Sequence, residues 1–170
     1  MTPGDNLYLV GLSGAGKSTL ACRLGARLNR PCADLDDVVV EWEGVGISEL
    51  FREKGELYFR RRETEALAWA AGKRGWIVAT GGGVVTREEN IVIMKETGRV
   101  VFLDRPVACI LRDLTDQDVS GLPMLQGDKQ RLYALREARL ELYRKAADYC
   151  LVNKGSVQEA LEAIVRWVNL

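Results

Sequence analysis

Apolar residues in this chain gather into short runs separated by longer stretches of helical spacing. Five runs, at residues 7–10, 31–35, 76–80, 99–104 and 149–152, read as strands. Several are apolar at consecutive positions rather than alternate ones, the pattern of strands covered on both faces. Helical periodicity marks residues 17–28, 56–71, 87–96, 106–114, 129–147 and 156–168. Strands alternating with helices predict a parallel sheet with right-handed crossovers, a three-layer α/β fold in one domain over residues 1–170. Two segments interrupt the alternation. Between the second and third strands lie two helical patches, 47–54 and 56–71, broken at Gly55. Residues 113–128 are polar, contain Gly121, Pro123 and Gly127, and read as a structureless lid or as a merely mobile loop.

Charge narrows the choice of partners. With 24 basic and 24 acidic residues in a 170-residue chain, no net field attracts nucleic acid or a membrane surface. No apolar run approaches a membrane span, and Met1 to Asp5 lack the basic-then-apolar layout of a secretory signal. Cys22, Cys32, Cys109 and Cys150 show no metal-type or redox-type spacing, and are expected to be reduced core or semi-core thiols in a cytoplasmic protein. The chain has no histidine, so any general base or metal ligand is a carboxylate or hydroxyl.

The chemistry starts at Gly11-Leu12-Ser13-Gly14-Ala15-Gly16-Lys17-Ser18, which fits the phosphate-loop template G-x-x-x-x-G-K-[ST] without mismatch. A predicted strand precedes it and a predicted helix follows. In that setting backbone N–H groups of Gly14, Ala15 and Gly16 converge on phosphate, with the helix N-terminus behind them. Lys17 reaches the β- and γ-phosphates, the Ser18 hydroxyl ligates Mg²⁺, and Thr19 completes the loop's contacts. The pattern predicts nucleoside triphosphate binding.

Asp34, Asp36 and Asp37 stand where the second strand runs out, the end at which open parallel sheets bind ligands. Strand alternation puts Asp34 and Asp36 on one side and Asp37 on the other. Asp34 is then placed to hold Mg²⁺ through water, and Asp36 to take a proton from an acceptor hydroxyl. Asp37 is the candidate cap of a helix starting near Val38; on this segment alone all three aspartates read equally well as caps or solvated residues. Arg60 lies between Glu56 at i−4 and Glu63 at i+3, partners that would fix its guanidinium for a bidentate grip on a carboxylate. Arg61 and Arg62 read as a solvated basic face. Gly81-Gly82-Gly83 ends the third strand and predicts a loop that approaches a ligand closely. Arg139 and Arg136 lie in a helix that follows the lid, and by pattern alone they are surface residues as readily as ligands.

Taken together these segments resemble the shikimate kinase family over essentially the whole chain. Gly16-Lys17-Ser18-Thr19 matches its G-K-S-T, Asp34-Leu35-Asp36 its D-x-D, and Gly55-Glu56 with Phe59-Arg60 and Glu63 its G-E-x-x-F-R-x-x-E. Gly81-Gly82-Gly83 matches its triple glycine, and Arg139 with Leu142-Tyr143 its R-x-x-L-Y. The resemblance implies a P-loop kinase of nucleoside-monophosphate kinase type with strand order 2-3-1-4-5. It implies ATP as co-substrate, Mg²⁺ as cofactor, and shikimate as acceptor through its 3-hydroxyl. Arg60 and Arg139 then grip the carboxylate, Asp36 and the backbone at Gly82 hold ring hydroxyls, and Ser18 and Asp34 hold the metal. Residues 34–63 correspond to the substrate-binding segment, 113–127 to the lid, and Arg112 falls near the adenine-contacting arginine. A monomer is expected. One departure concerns the lid, where the family carries arginine before proline in an R-P-L-L-like run. Here the run is Leu122-Pro123-Met124-Leu125, and residues 113–128 hold Asp113, Asp116, Asp118 and Asp128 after Arg112 with no basic residue of their own. Such a lid is expected to repel polyphosphate unless Lys129 or Arg131 swings in. The alternatives are a gluconate-type or nucleoside-monophosphate kinase, or a weakly catalytic nucleotide- and shikimate-binding sensor.

Overall fold

The computed structural model describes residues 5–169, so the reading of Met1 to Gly4 lies outside the described residues. Five parallel strands form one sheet in the order β2-β3-β1-β4-β5. They are β1 (Asn6–Val10), β2 (Cys32–Asp34), β3 (Ile77–Ala79), β4 (Gly98–Asp104) and β5 (Tyr149–Val152). The predicted strand set and order are both present. Consecutive apolar runs mark the centre of the sheet: every residue of β1 and β3 is buried, whereas the edge strands β2 and β5 are partly exposed.

Helices cover both faces: α1 (Lys17–Leu28), α2 (Leu35–Glu43), α3 (Ile47–Ala71), α4 (Glu88–Thr97), α5 (Val107–Asp113), α6 (Asp116–Ser120), α7 (Arg131–Ala146) and α8 (Val157–Val168). α3 is two helical pieces that meet at a kink at Gly55, whose φ of 82° and ψ of 171° are non-helical, so the predicted break is real. A brace ties α2 to the second half of α3. Glu43 pairs with Lys54 at 3.0 Å and with Arg62 at 2.5 Å, while Arg62 lies over the Trp42 ring. Arg62 is therefore a structural strut as well as part of a basic face.

Three expectations need correction. The second strand ends at Asp34, and Asp36 lies in the first turn of α2 rather than on the strand. Asp34 caps that helix by accepting the Asp36 N–H at 2.9 Å, so Asp34 and not Asp37 is the cap. The lid is not structureless: α6 carries a capping box between Thr115 and Asp118, and a 3₁₀ turn follows at Pro123–Leu125. Finally, Cys22, Cys32 and Cys150 are exposed and Cys109 is half-buried, so the thiols sit at the surface rather than in the core.

Candidate active site

The phosphate loop lies between β1 and α1. Gly14 and Gly16 take φ values of 79° and 94°, which turn the loop's amides inward. A methyl group at Gly14 would also collide with Ile110. Lys17 is buried beneath the loop and donates to the Gly11 and Leu12 carbonyls, both at 2.8 Å. Burial lowers its pKa to about 8, against the pull of Asp36 and Asp34. The Ser18 hydroxyl donates to the Asp34 carboxylate in a very short contact. That pairing of hydroxyl and carboxylate beside the loop is an all-oxygen donor set, as a magnesium ion requires.

A second cavity opens beyond the loop, between α3, the end of β3, the lid and α7. Arg60 and Arg139 both line it. Each is a buried arginine on a different helix, so the expectation that Arg139 is a surface residue as readily as a ligand resolves towards the cavity. Arg60 is held by Glu63 at 2.8 Å and by Glu56 at 3.4 Å, as its spacing predicts. Glu63 is itself buried, its carboxyl pushed up by desolvation despite Arg60, and its Oε1 lacks a protein partner. Sequence reasoning used Glu63 only as a brace for Arg60. Its i+3 spacing is visible in the sequence, but not that Glu63 lines the acceptor cavity.

The three glycines have a different reason from the predicted one. None has a positive φ, so each is required for space rather than backbone angle. A Cβ at Gly83 would run into the Arg60 guanidinium, and one at Gly81 into the Glu63 carboxylate. At Gly82 a Cβ would lie 3.0 Å from Ser13 Oγ and 3.6 Å from Arg139 Nη1. The buried Tyr143 hydroxyl donates to the Gly82 carbonyl at 2.5 Å and fixes this strand end. Protein side chains, not ligand alone, thus occupy the room the glycines leave.

The two cavities share four walls: Ser13, Asp36, Gly82 and Leu122. Asp36 stands at this junction. Its carboxyl is reachable from the cavity yet ringed by protein, and burial with the neighbouring Asp34 and Glu63 pushes it up to about 7. A carboxyl poised near neutrality between a phosphate loop and an acceptor cavity is suited to take a proton from a hydroxyl. Leu122 fills the lid position facing the same junction. Lys129 and Arg131 line neither cavity; Arg131 instead donates to Gln126 at 2.5 Å. Arg112 is exposed, pairs with Asp113 at 3.5 Å and lines neither cavity. The lid aspartates do not line the phosphate cavity either: Asp118 caps α6, Asp128 accepts the Gln130 N–H at 2.9 Å, and Asp113 pairs with Arg105.

A sheet in this order with a phosphate loop after β1, opening onto a second cavity with a near-neutral carboxyl between them, defines an α/β phosphoryl-transfer enzyme of the P-loop class. A family model described as shikimate kinase matches residues 13–169. A shikimate kinase from Clostridium botulinum is 38% identical over 160 residues, covering 94% of each chain. The structure of shikimate kinase from Acinetobacter baumannii in complex with shikimate superposes with a TM-score of 0.91 at 34% identity, covering 96% of this chain and 92% of that one. A shikimate kinase from Aquifex aeolicus gives a TM-score of 0.81 at 32% identity, covering 96% of each chain. The chain belongs to the shikimate kinase family and is an ATP-dependent kinase. No helix among the described residues is long and apolar enough to cross a membrane.

Proposed function

We propose that this chain transfers the γ-phosphoryl group of ATP to the 3-hydroxyl of shikimate, giving ADP and shikimate 3-phosphate, with each residue in the following role. The amides of Gly14, Ala15 and Gly16, with Lys17 and Thr19, hold the polyphosphate. Lys17 leaves the Gly11 and Leu12 carbonyls and turns to the β- and γ-oxygens, where its charge offsets what develops during transfer. Ser18 and Asp34 hold Mg²⁺, which supplies charge neutralisation of the phosphates. Arg60 and Arg139 grip the acceptor's carboxylate from two helices, and Asp36 accepts the proton of the attacking hydroxyl. Gly81, Gly82 and Gly83 let the strand end approach the ring, and Arg112 meets the adenine at the outer rim. A site completed within one chain supports a monomer with ATP and shikimate as its partners. Free thiols at the surface support a reducing, cytoplasmic location.

The observation that carries this reading is the shared wall at Asp36 between the phosphate cavity and a cavity holding two buried guanidiniums. An acceptor panel tests it: ADP release with shikimate should exceed release with gluconate or with a nucleoside monophosphate by orders of magnitude. Equal rates on either alternative overturn it. Leu122 at the junction supports a turnover slower than that of arginine-bearing relatives rather than a different acceptor, because both guanidiniums that meet the acceptor are in place.

A further inference from the structure

Two surface thiols face each other beside the phosphate loop. Cys22 on α1 and Cys32 on β2 are both free and exposed, with their sulfurs 3.8 Å apart. A disulfide needs about 2.05 Å, so closure asks for a small approach of the two elements. Gly25, one turn further along α1, lies against Cys32: a Cβ there would sit 3.3 Å from Cys32 Cβ and 3.6 Å from its sulfur. The missing side chain lets this edge strand come close to the helix at the level of the thiols.

The position of the pair gives it a consequence. Ser18 and Cys22 are four residues apart on one helix face, and Cys32 and Asp34 are two apart on one strand face. The thiol contact and the Ser18–Asp34 contact are therefore neighbouring rungs across the same α1–β2 seam. We propose that Cys22 and Cys32 form a reversible redox pair whose disulfide clamps this seam and weakens binding of magnesium–ATP. The clause about magnesium rests on the placement of the metal at Ser18 and Asp34 proposed above. In the reduced chain the seam opens to admit a hydrated ion between hydroxyl and carboxylate, because Mg²⁺ keeps part of its water. A covalent link one helical turn away holds Ser18 against Asp34 and opposes that opening.

The oxidant is a low-molecular-weight disulfide such as oxidised glutathione. One thiolate attacks it, forming a mixed disulfide and releasing one glutathione thiolate. The second cysteine, deprotonated, displaces the other glutathione as its thiolate, so two cysteine thiols are oxidised, one disulfide is reduced, and the two cysteine protons end on the two glutathione thiols. In a reducing compartment such a pair is a sensor rather than a structural bond.

The native full-length chain, incubated with oxidised glutathione, alkylated and mapped by mass spectrometry, should yield one Cys22–Cys32 link while Cys109 and Cys150 remain alkylated. Calorimetry should then show the dissociation constant for magnesium–ATP raised several-fold, restored by dithiothreitol. Cys22→Ser and Cys32→Ser should each bind magnesium–ATP as the reduced chain does and no longer respond to oxidant. Thiols that stay free, a reaction that stops at glutathione adducts, or a disulfide that leaves the nucleotide affinity unchanged would overturn the proposal. Neither readout needs phosphoryl transfer to shikimate, so a wrong acceptor would appear in the acceptor panel and not here.

Discussion

The acceptor cavity and the lid above it are both rich in charge, and they use it in opposite ways. In the cavity, Arg60, Glu63 and Arg139 are each at most 7% exposed and interlock with the glycine strand end. Burying such charges is costly unless they are paired, and here Arg60 is paired with Glu63 while the other oxygen of that carboxylate, Oε1, is buried without a protein partner. In the lid, every carboxylate with a partner serves a local purpose, in a helix cap or a surface ion pair, and the residue aimed at the transfer site is apolar Leu122. One region spends stability on chemistry; the other is folded for its own sake and contributes exclusion of water.

The largest expected effect tests the phosphate side of that contrast. Lys17→Ala should lower turnover by about a thousandfold or more, since it removes the buried cation beside the transferring group. Its circular dichroism should match the parent, because the substitution leaves the sheet and the apolar core untouched. If turnover falls by less than about tenfold, the loop lysine does not stabilise the transfer as argued.

Next comes Asp36, where function and stability should separate. Asp36→Asn should reduce kcat by about 10²–10⁴ while leaving shikimate affinity within a few-fold. The folded carboxyl keeps its proton up to about 7, against 3.8 for the free side chain. The ionised form therefore costs stability that is lost progressively as pH rises from 3.8 through about 7, and Asp36→Asn should melt higher than the parent at pH above that range. For the parent, kcat/KM should rise as Asp36 loses its proton near 7 and fall as Lys17 loses its own near 8. A flat profile across that window would remove Asp36 from the proton's path.

Gly83→Ala probes the interlock itself with a smaller effect. The added methyl meets the Arg60 guanidinium, which Glu63 and Glu56 hold in place, so Arg60 must shift. The KM for shikimate should rise about tenfold, roughly 1.4 kcal/mol, with kcat less affected. An unchanged KM would mean that Arg60 does not grip the acceptor from its observed position.

The same contrast explains what could be read in advance. The phosphate loop, the strand set and Arg60 follow from motifs whose physics is local: consecutive apolar runs, a glycine-rich turn, partners at i−4 and i+3, whereas the sheet order came only with the family resemblance. Asp36 was found for the wrong geometric reason, because a strand pattern cannot reveal that Asp34 ends the strand by capping the helix that carries it. The role of the three glycines was hidden as well, since the side chains that fill their space come from residues distant in sequence. For the lid, the Thr115-x-x-Asp118 signature was legible as a capping box, whereas the packing of Leu122 against both cavities depends on the whole fold.

Leu122→Arg tests whether the lid's silence is a limit on rate, and it carries the smallest expected effect. Leu122 is the lid residue bordering both the phosphate and acceptor cavities, and neither Lys129 nor Arg131 reaches either one. A guanidinium at that position can approach the transferring phosphoryl group when the lid is shut, and charge placed there stabilises the transition state more than the ground state. The gain should stay near tenfold in kcat, well below the cost of losing an evolved arginine, because Asp34 and Asp36 border the same cavity and compete with the phosphates for the new side chain. The KM for shikimate should hold steady, and uncoupled ATP hydrolysis should not increase. An arginine that leaves kcat unchanged would show that Lys17 with the metal already supplies the charge the transfer needs, and that an apolar lid is sufficient in this chain.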